Sequence, residues 1–132
     1  MSTNRTIKRY ELKDKDVTAV VPSGLFTRYQ RALKDTGLTN AQGFRIALTL
    51  YFADPSAWEE TDEGEGQDRP TQANFHARLY GITGTWLEAI QDNLAIKRLA
   101  RNQTGKVTQT DVITSVIAHF VKMSESGRLM SV

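Results

Sequence analysis

A mainly α fold with a two-stranded antiparallel β-ribbon, built from one strand-helix-helix unit used twice in the same chain, is the architecture this sequence predicts. Each half opens on a short run of strand character and then changes to helical spacing. The apolar positions Phe44, Ala47, Leu48, Tyr51 and Phe52 return as Ile113, Val116, Ile117, Phe120 and Val121, each 69 residues later. Gly37 and Thr39 punctuate the first run, Gly105 and Thr108 the second. Five positions in register behind the same punctuation read as an internal duplication.

In chain order, residues 1–15 form a basic arm (Arg5, Lys8, Arg9, Lys13, Lys15) without sustained periodicity. Val17–Val21 is a β-branched run stopped by Pro22, a strand that ends where a helix begins, with Ser23 as the cap. Leu25, Phe26, Tyr29, Ala32 and Leu33 recur at helical spacing until Gly37. Thr39 caps the next helix, whose apolar face is wide, and Asp54-Pro55 closes it, so residues 16–53 make the first unit. Residues 54–70 are an acidic linker that carries Trp58. From Gln72 to Tyr80 the chain alternates, with Phe75, Ala77 and Leu79 on one side and Asn74, His76 and Arg78 on the other. A Gly81-Ile82-Thr83-Gly84 turn leads to a helix from Trp86 to about Arg101, ended by Gly105, and Thr108 caps the last helix. The second unit spans 71–123, the two units share one core, and 124–132 is a tail.

The length of 132 residues supports one compact core without disulfides or metals. Cysteine is absent, which excludes a disulfide framework, thiolate metal sites and a cysteine nucleophile. No apolar run approaches the roughly 20 residues of a membrane span, and the polar start is unlike a secretory signal, so a soluble cytoplasmic protein is expected. The net charge of +2 hides a segregation: residues 54–69 hold seven acids against one base, and the remainder 16 bases against eight acids. Two readings fit, a basic surface for a polyanion with an acidic segment held away from it, or a solvated linker between two mildly basic halves.

Two such units can bury their apolar faces by pairing their strands over four interleaved helices. The ribbon's other face then points outward, and a two-stranded ribbon fits the major groove of B-DNA. Val17–Pro22, Leu25, Gly37, Thr39, Ala41, Gln42, Phe44, Arg45, Ala47 and Leu48 resemble the ribbon-helix-helix DNA-binding superfamily. Phe75–Leu79 with Gly105, Thr108, Thr110, Asp111 and Ile113 resembles it more loosely. The tandem form, a monomeric pseudo-dimer, is similar to relaxosome accessory proteins of bacterial conjugation and T-DNA transfer, which implies double-stranded DNA and other relaxosome proteins as partners. A plasmid or mobile-element repressor is the alternative, and an antitoxin-like adaptor that holds a protein partner through Trp58 and the linker is a third. The chain departs from the family at Tyr80, where Pro is usual. It departs again in the span from strand end to cap, Pro22–Thr39 in one unit and Tyr80–Thr108 in the other, which makes Trp86–Ile90 an extra helical stretch. The apolar phase there slips near Asn93 towards Ile96, Leu99 and Ala100.

The resemblance assigns base contacts to outward strand positions: Asn74, His76 and Arg78 from the second unit, Thr18 and Val20 from the first. Arg can bridge guanine O6 and N7, Asn adenine N6 and N7, and Val can meet a thymine methyl. Asp16, the third outward position of the first strand, repels phosphate unless it accepts from cytosine. Phosphate contacts are expected at helix starts, Thr39 with Asn40 and Thr108 with Gln109, and from Lys106, Arg45, Lys13 and Lys15. A polar strand face and plain helix caps would carry the same residues. No cofactor and no metal site is expected, since His76 and His119 lie in separate elements without clustered acids, and no phosphate loop or nucleophile elbow appears, so no enzyme is predicted.

Overall fold

The computed structural model describes residues 15–59, 72–103 and 105–127. β1 (Lys15–Pro22) leads into α1 (Ser23–Thr36) and α2 (Asn40–Phe52), followed by a single 3-10 turn at Pro55–Ala57. β2 (Gln72–Leu79) leads into α3 (Thr83–Ala100) and α4 (Gln109–Glu125). The chain is thus mainly helical with a two-stranded antiparallel sheet, and the order strand, helix, helix occurs twice.

The register aligns Val17 with Ala77, Ala19 with Phe75 and Val21 with Ala73 on the inner face. Val17, Ala19, Val21, Phe75, Ala77 and Leu79 are buried there. Phe75 is the centre of the packing: its ring meets Phe44 of α2 at 4.9 Å, Tyr29 of α1 at 6.0 Å and Phe26 at 6.5 Å. Tyr29 in turn meets Phe120 of α4 edge-on at 5.7 Å. Edge-to-face ring pairs of this kind each add about 0.5–1.5 kcal/mol beyond the area they bury. At Gly43 the α1–α2 crossing is tight, since a Cβ there would run into the Leu33 side chain. Gly37 ends α1 in the left-handed region (φ 74°), as its position after the apolar run predicts.

Three expected boundaries and one stop signal are displaced. Ser23 makes no capping bond; Pro22 is the N-cap, because the strand passes straight into the helix and leaves Ser23 inside its first turn. α3 starts at Thr83 rather than Trp86, with Gly84 buried in its first turn under the Lys15 side chain. The turn is only Gly81-Ile82, and the stretch read as extra is the front of one continuous helix. α3 ends at Ala100, within a residue of the expected end, but the residue that breaks it is Asn102 rather than Gly105: Asn102 takes the left-handed conformation (φ 58°) that Asn tolerates better than other side chains. Past the phase slip, Ile96 and Leu99 are exposed, while Leu87, Ile90 and Leu94 fill the core. α4 also runs two residues into the segment read as tail.

Trp58 pins the start of the acidic segment to the core. It is buried, its indole Nε1 donates to the Tyr51 carbonyl at 2.6 Å, and its ring lies against Tyr51 and Phe52. Burial pushes the Tyr51 hydroxyl up to about 12, although the Glu59 backbone N–H donated to its oxygen at 3.1 Å pulls the other way. Glu59 is clamped to the end of α3 by Arg101, its C-cap, at 2.9 Å and by Lys97 at 3.2 Å, and Lys97 also donates to the Trp58 carbonyl. The hydrogen bonds from Arg101 and then Lys97 hold the Glu59 carboxyl below its ordinary range.

Replacing Phe75 with Ala is expected to cost about 3–5 kcal/mol in chemical denaturation, whereas exposed Val20→Ala stays within about 0.5 kcal/mol. The Glu59 clamp has a pH signature. A depressed carboxyl contributes stability above its unfolded pKa and loses it as pH falls through the folded one. Glu59→Gln should therefore lower Tm at neutral pH and make no difference in strong acid, with the neutral loss below about 1 kcal/mol because Glu59 is half exposed and screened.

Candidate nucleic-acid interface

Strand alternation that buries one face of the ribbon exposes the other. The register opposes Asp16 to Arg78, Thr18 to His76 and Val20 to Asn74. All six are exposed, so the five base-contact candidates and Asp16 stand in three cross-strand pairs on one surface. Arg78 Nη1 donates to both carboxylate oxygens of Asp16 at 3.1 Å. His76 Nε2 lies 3.7 Å from Asp16 Oδ1, an ion pair only when the imidazole is protonated. The carboxylate thus faces a guanidinium across the ribbon, which relieves the repulsion that an isolated Asp16 would present to phosphate.

The outer edge of β2 is closed by α2. Asn40 Nδ2 donates to the His76 carbonyl at 3.0 Å, and Arg45 Nη1 donates to the Arg78 carbonyl at 3.1 Å. The Arg45 guanidinium also lies over the Tyr80 ring, 5.1 Å from its centroid. Carbonyls on an open strand edge invite unwanted pairing, and these two donors remove that template. The start of α2 is itself held from below, since buried Tyr29 donates its hydroxyl proton to the Asn40 carbonyl at 2.8 Å. Burial pushes that hydroxyl well above its ordinary range.

Both second helices begin in a full capping box, Thr39 with Gln42 and Thr108 with Asp111. The remaining first-turn amides and the positive end of the helix dipole form an anion-favouring terminus. The two ends differ in charge. α2 has no acid in its first turn, whereas α4 carries Asp111, with Arg98 Nη2 3.6 Å away. Arg98 also donates to the Lys106 carbonyl at 3.0 Å, and Gln91 to the Val107 carbonyl at 2.8 Å, so α3 holds the approach to α4.

Of the other predicted contacts, Lys106 is exposed in the loop before α4 and Gln109 is half-buried at its start. Lys15 lies 4.0 Å from Glu88 and packs over Gly84, at the far end of β1 from Pro22. Lys13 and the arm residues Arg5, Lys8 and Arg9 lie outside the described residues. Sequence reasoning missed three roles: Asp16 as the cross-strand partner of Arg78, and Asn40 and Arg45 as donors to the β2 edge. The first was readable from opposite charges at alternating positions once a register was assumed. The other two follow only from the tertiary approach of α2.

Among the described residues no group of His, Cys, Asp or Glu side chains is arranged to hold a metal ion, and no helix is long and apolar enough to cross a membrane. A shallow depression of about 290 Å³ beside the ribbon edge, lined by Leu38, Gln42, Arg45, Ile46 and Thr49, is open and carries no carboxylate or imidazole. The chain matches no family model, no curated protein and no solved structure.

Removing the Asn40 amide leaves the His76 carbonyl without its α2 donor. Asn40→Ala should lower unfolding free energy by about 1 kcal/mol and speed hydrogen exchange along β2 relative to α4, measured by amide exchange.

Proposed function

We propose that this protein is a sequence-specific double-stranded DNA-binding protein, a tandem ribbon-helix-helix pseudo-dimer that lays its ribbon in the major groove. The observation that carries the reading is a two-stranded ribbon with one face sealed into the core and the other bearing Asp16, Thr18, Val20, Asn74, His76 and Arg78 in three exposed pairs. A groove about 12 Å wide admits such a ribbon, and these side chains match the donors, acceptors and methyls that base edges display there. The first-turn amides that follow the Thr39 and Thr108 caps, beginning at Asn40 and Gln109, are offered to phosphate, with Arg45 and Lys106 adding charge. The tandem arrangement extends the reading to an accessory factor of plasmid or T-DNA transfer, in which the protein marks a site and performs no chemistry. Trp58 supports this over an adaptor role, because its indole is committed to Tyr51 and Phe52 rather than offered to a partner.

A gel-shift salt series on duplex DNA tests the proposal. With about four phosphate contacts, affinity should fall on the order of 100-fold between about 50 and 200 mM salt. Arg78→Ala should relax sequence preference, and Lys106→Ala should weaken all sequences alike. Absence of binding at low salt overturns the reading.

A further inference from the structure

We infer that the protein reads a duplex core with a built-in direction, a G·C pair at one end and an A·T pair at the other, each read by one cross-strand pair of side chains. The inference rests on the DNA-binding reading above and deepens it by naming the substrate.

The register carries the argument. Counted about the central Thr18–His76 pair, Asp16, Thr18 and Val20 correspond to Asn74, His76 and Arg78 in turn. The antiparallel pairing then makes Asp16–Arg78 and Val20–Asn74 the two symmetry-related poles, with Thr18–His76 between them. Two identical strands would give identical poles and a palindromic core. Here the poles have opposite chemistry. At one, a guanidinium nitrogen lies 3.1 Å from both oxygens of a carboxylate. The major-groove edge of G·C offers N7 and O6 as acceptors beside the N4 donor of cytosine, a pattern that Arg78 and Asp16 complement in that order. At the other, Asn74 can take adenine N7 and N6 together, and Val20, 43% exposed, stands opposite it where the thymine methyl lies. Thr18 and His76 can each donate or accept and so discriminate less. Four residues of strand separate the poles, about 13 Å, or roughly three to four base pairs along the groove.

The backbone grip is unequal in the same sense. α2 attaches to the His76 and Arg78 carbonyls, next to the Asp16–Arg78 pole, and its first turn has no acid. The start of α4 carries Asp111. The chain therefore has one preferred orientation on its site.

Selection of duplexes from a random pool by the full chain, followed by binding to duplexes altered at one pole, tests this. The expected core has G·C at one end and A·T at the other and is not palindromic. Asp16→Asn and Arg78→Gln should each reduce discrimination at the G·C end by about tenfold or more and leave the A·T end unchanged, while Asn74→Ala should do the converse. A palindromic core overturns the inference and leaves DNA binding standing. So does an Asp16→Asn protein that binds every sequence more tightly with its preference intact, since Asp16 would then act only as a repulsive charge. Failure of the wild-type chain to bind any duplex at low salt removes the DNA reading and the inference with it.

Discussion

The period-two alternation of β1 and β2 is the constraint on which the rest depends. A two-stranded ribbon is barely stable in water by itself, so it persists here only because Val17, Ala19, Val21, Phe75, Ala77 and Leu79 are sealed against the helices. Slipping either strand by one residue would turn that row outward and drive Asp16, His76 and Arg78 towards the core. An unpaired buried charge costs several kcal/mol, more than a typical side chain gains by packing. The identity of the outward row is therefore an energetic consequence of the inward one.

The ribbon is tied to the helices through its edge as well as its face. Asn40 and Arg45 reach the carbonyls of the very residues whose side chains point outward, and Tyr29 fixes the start of α2 from inside the aromatic cluster around Phe75. This continuous path from core to edge holds the outward side chains and the α2 terminus in one rigid frame. Recognition groups on such a frame lose little freedom when they meet a ligand, and a site on regular elements is positioned more tightly than one on loops.

Where local chemistry decided the outcome, the sequence was readable. The β2 alternation, the Thr39 and Thr108 caps and the apolar faces of α2 and α4 all lie as their spacing indicates. It was less readable where a neighbour decided. Gly84 looks like a turn residue, but it lies inside α3, buried under the Lys15 side chain. Asn102 takes a conformation more often given to Gly, so Gly105 was not needed to stop the helix. Ile96 and Leu99 are apolar at helical spacing and still face outward, because α3 outlasts the core it packs on. Alternation identified which candidate residues share a face; which of them oppose one another required the register.

The strand-helix-helix order occurs twice in the chain, and the second helices of the two occurrences differ in what they touch. The residues of α2 that reach the ribbon edge, Asn40 and Arg45, have Gln109 and Thr114 as counterparts in α4 at the same offset. Thr114 is buried, as is nearly every residue from Val112 to Val121, so α4 is enclosed on most of its circumference. α2 keeps Phe44, Ala47, Leu48 and Tyr51 inside and leaves a polar side beside the ribbon. A helix enclosed in this way has no room for a second arginine at the ribbon edge, whereas α2 does. The two second helices thus divide the work: α4 is enclosed in the core, while α2 braces the ribbon edge and keeps a polar side at the surface.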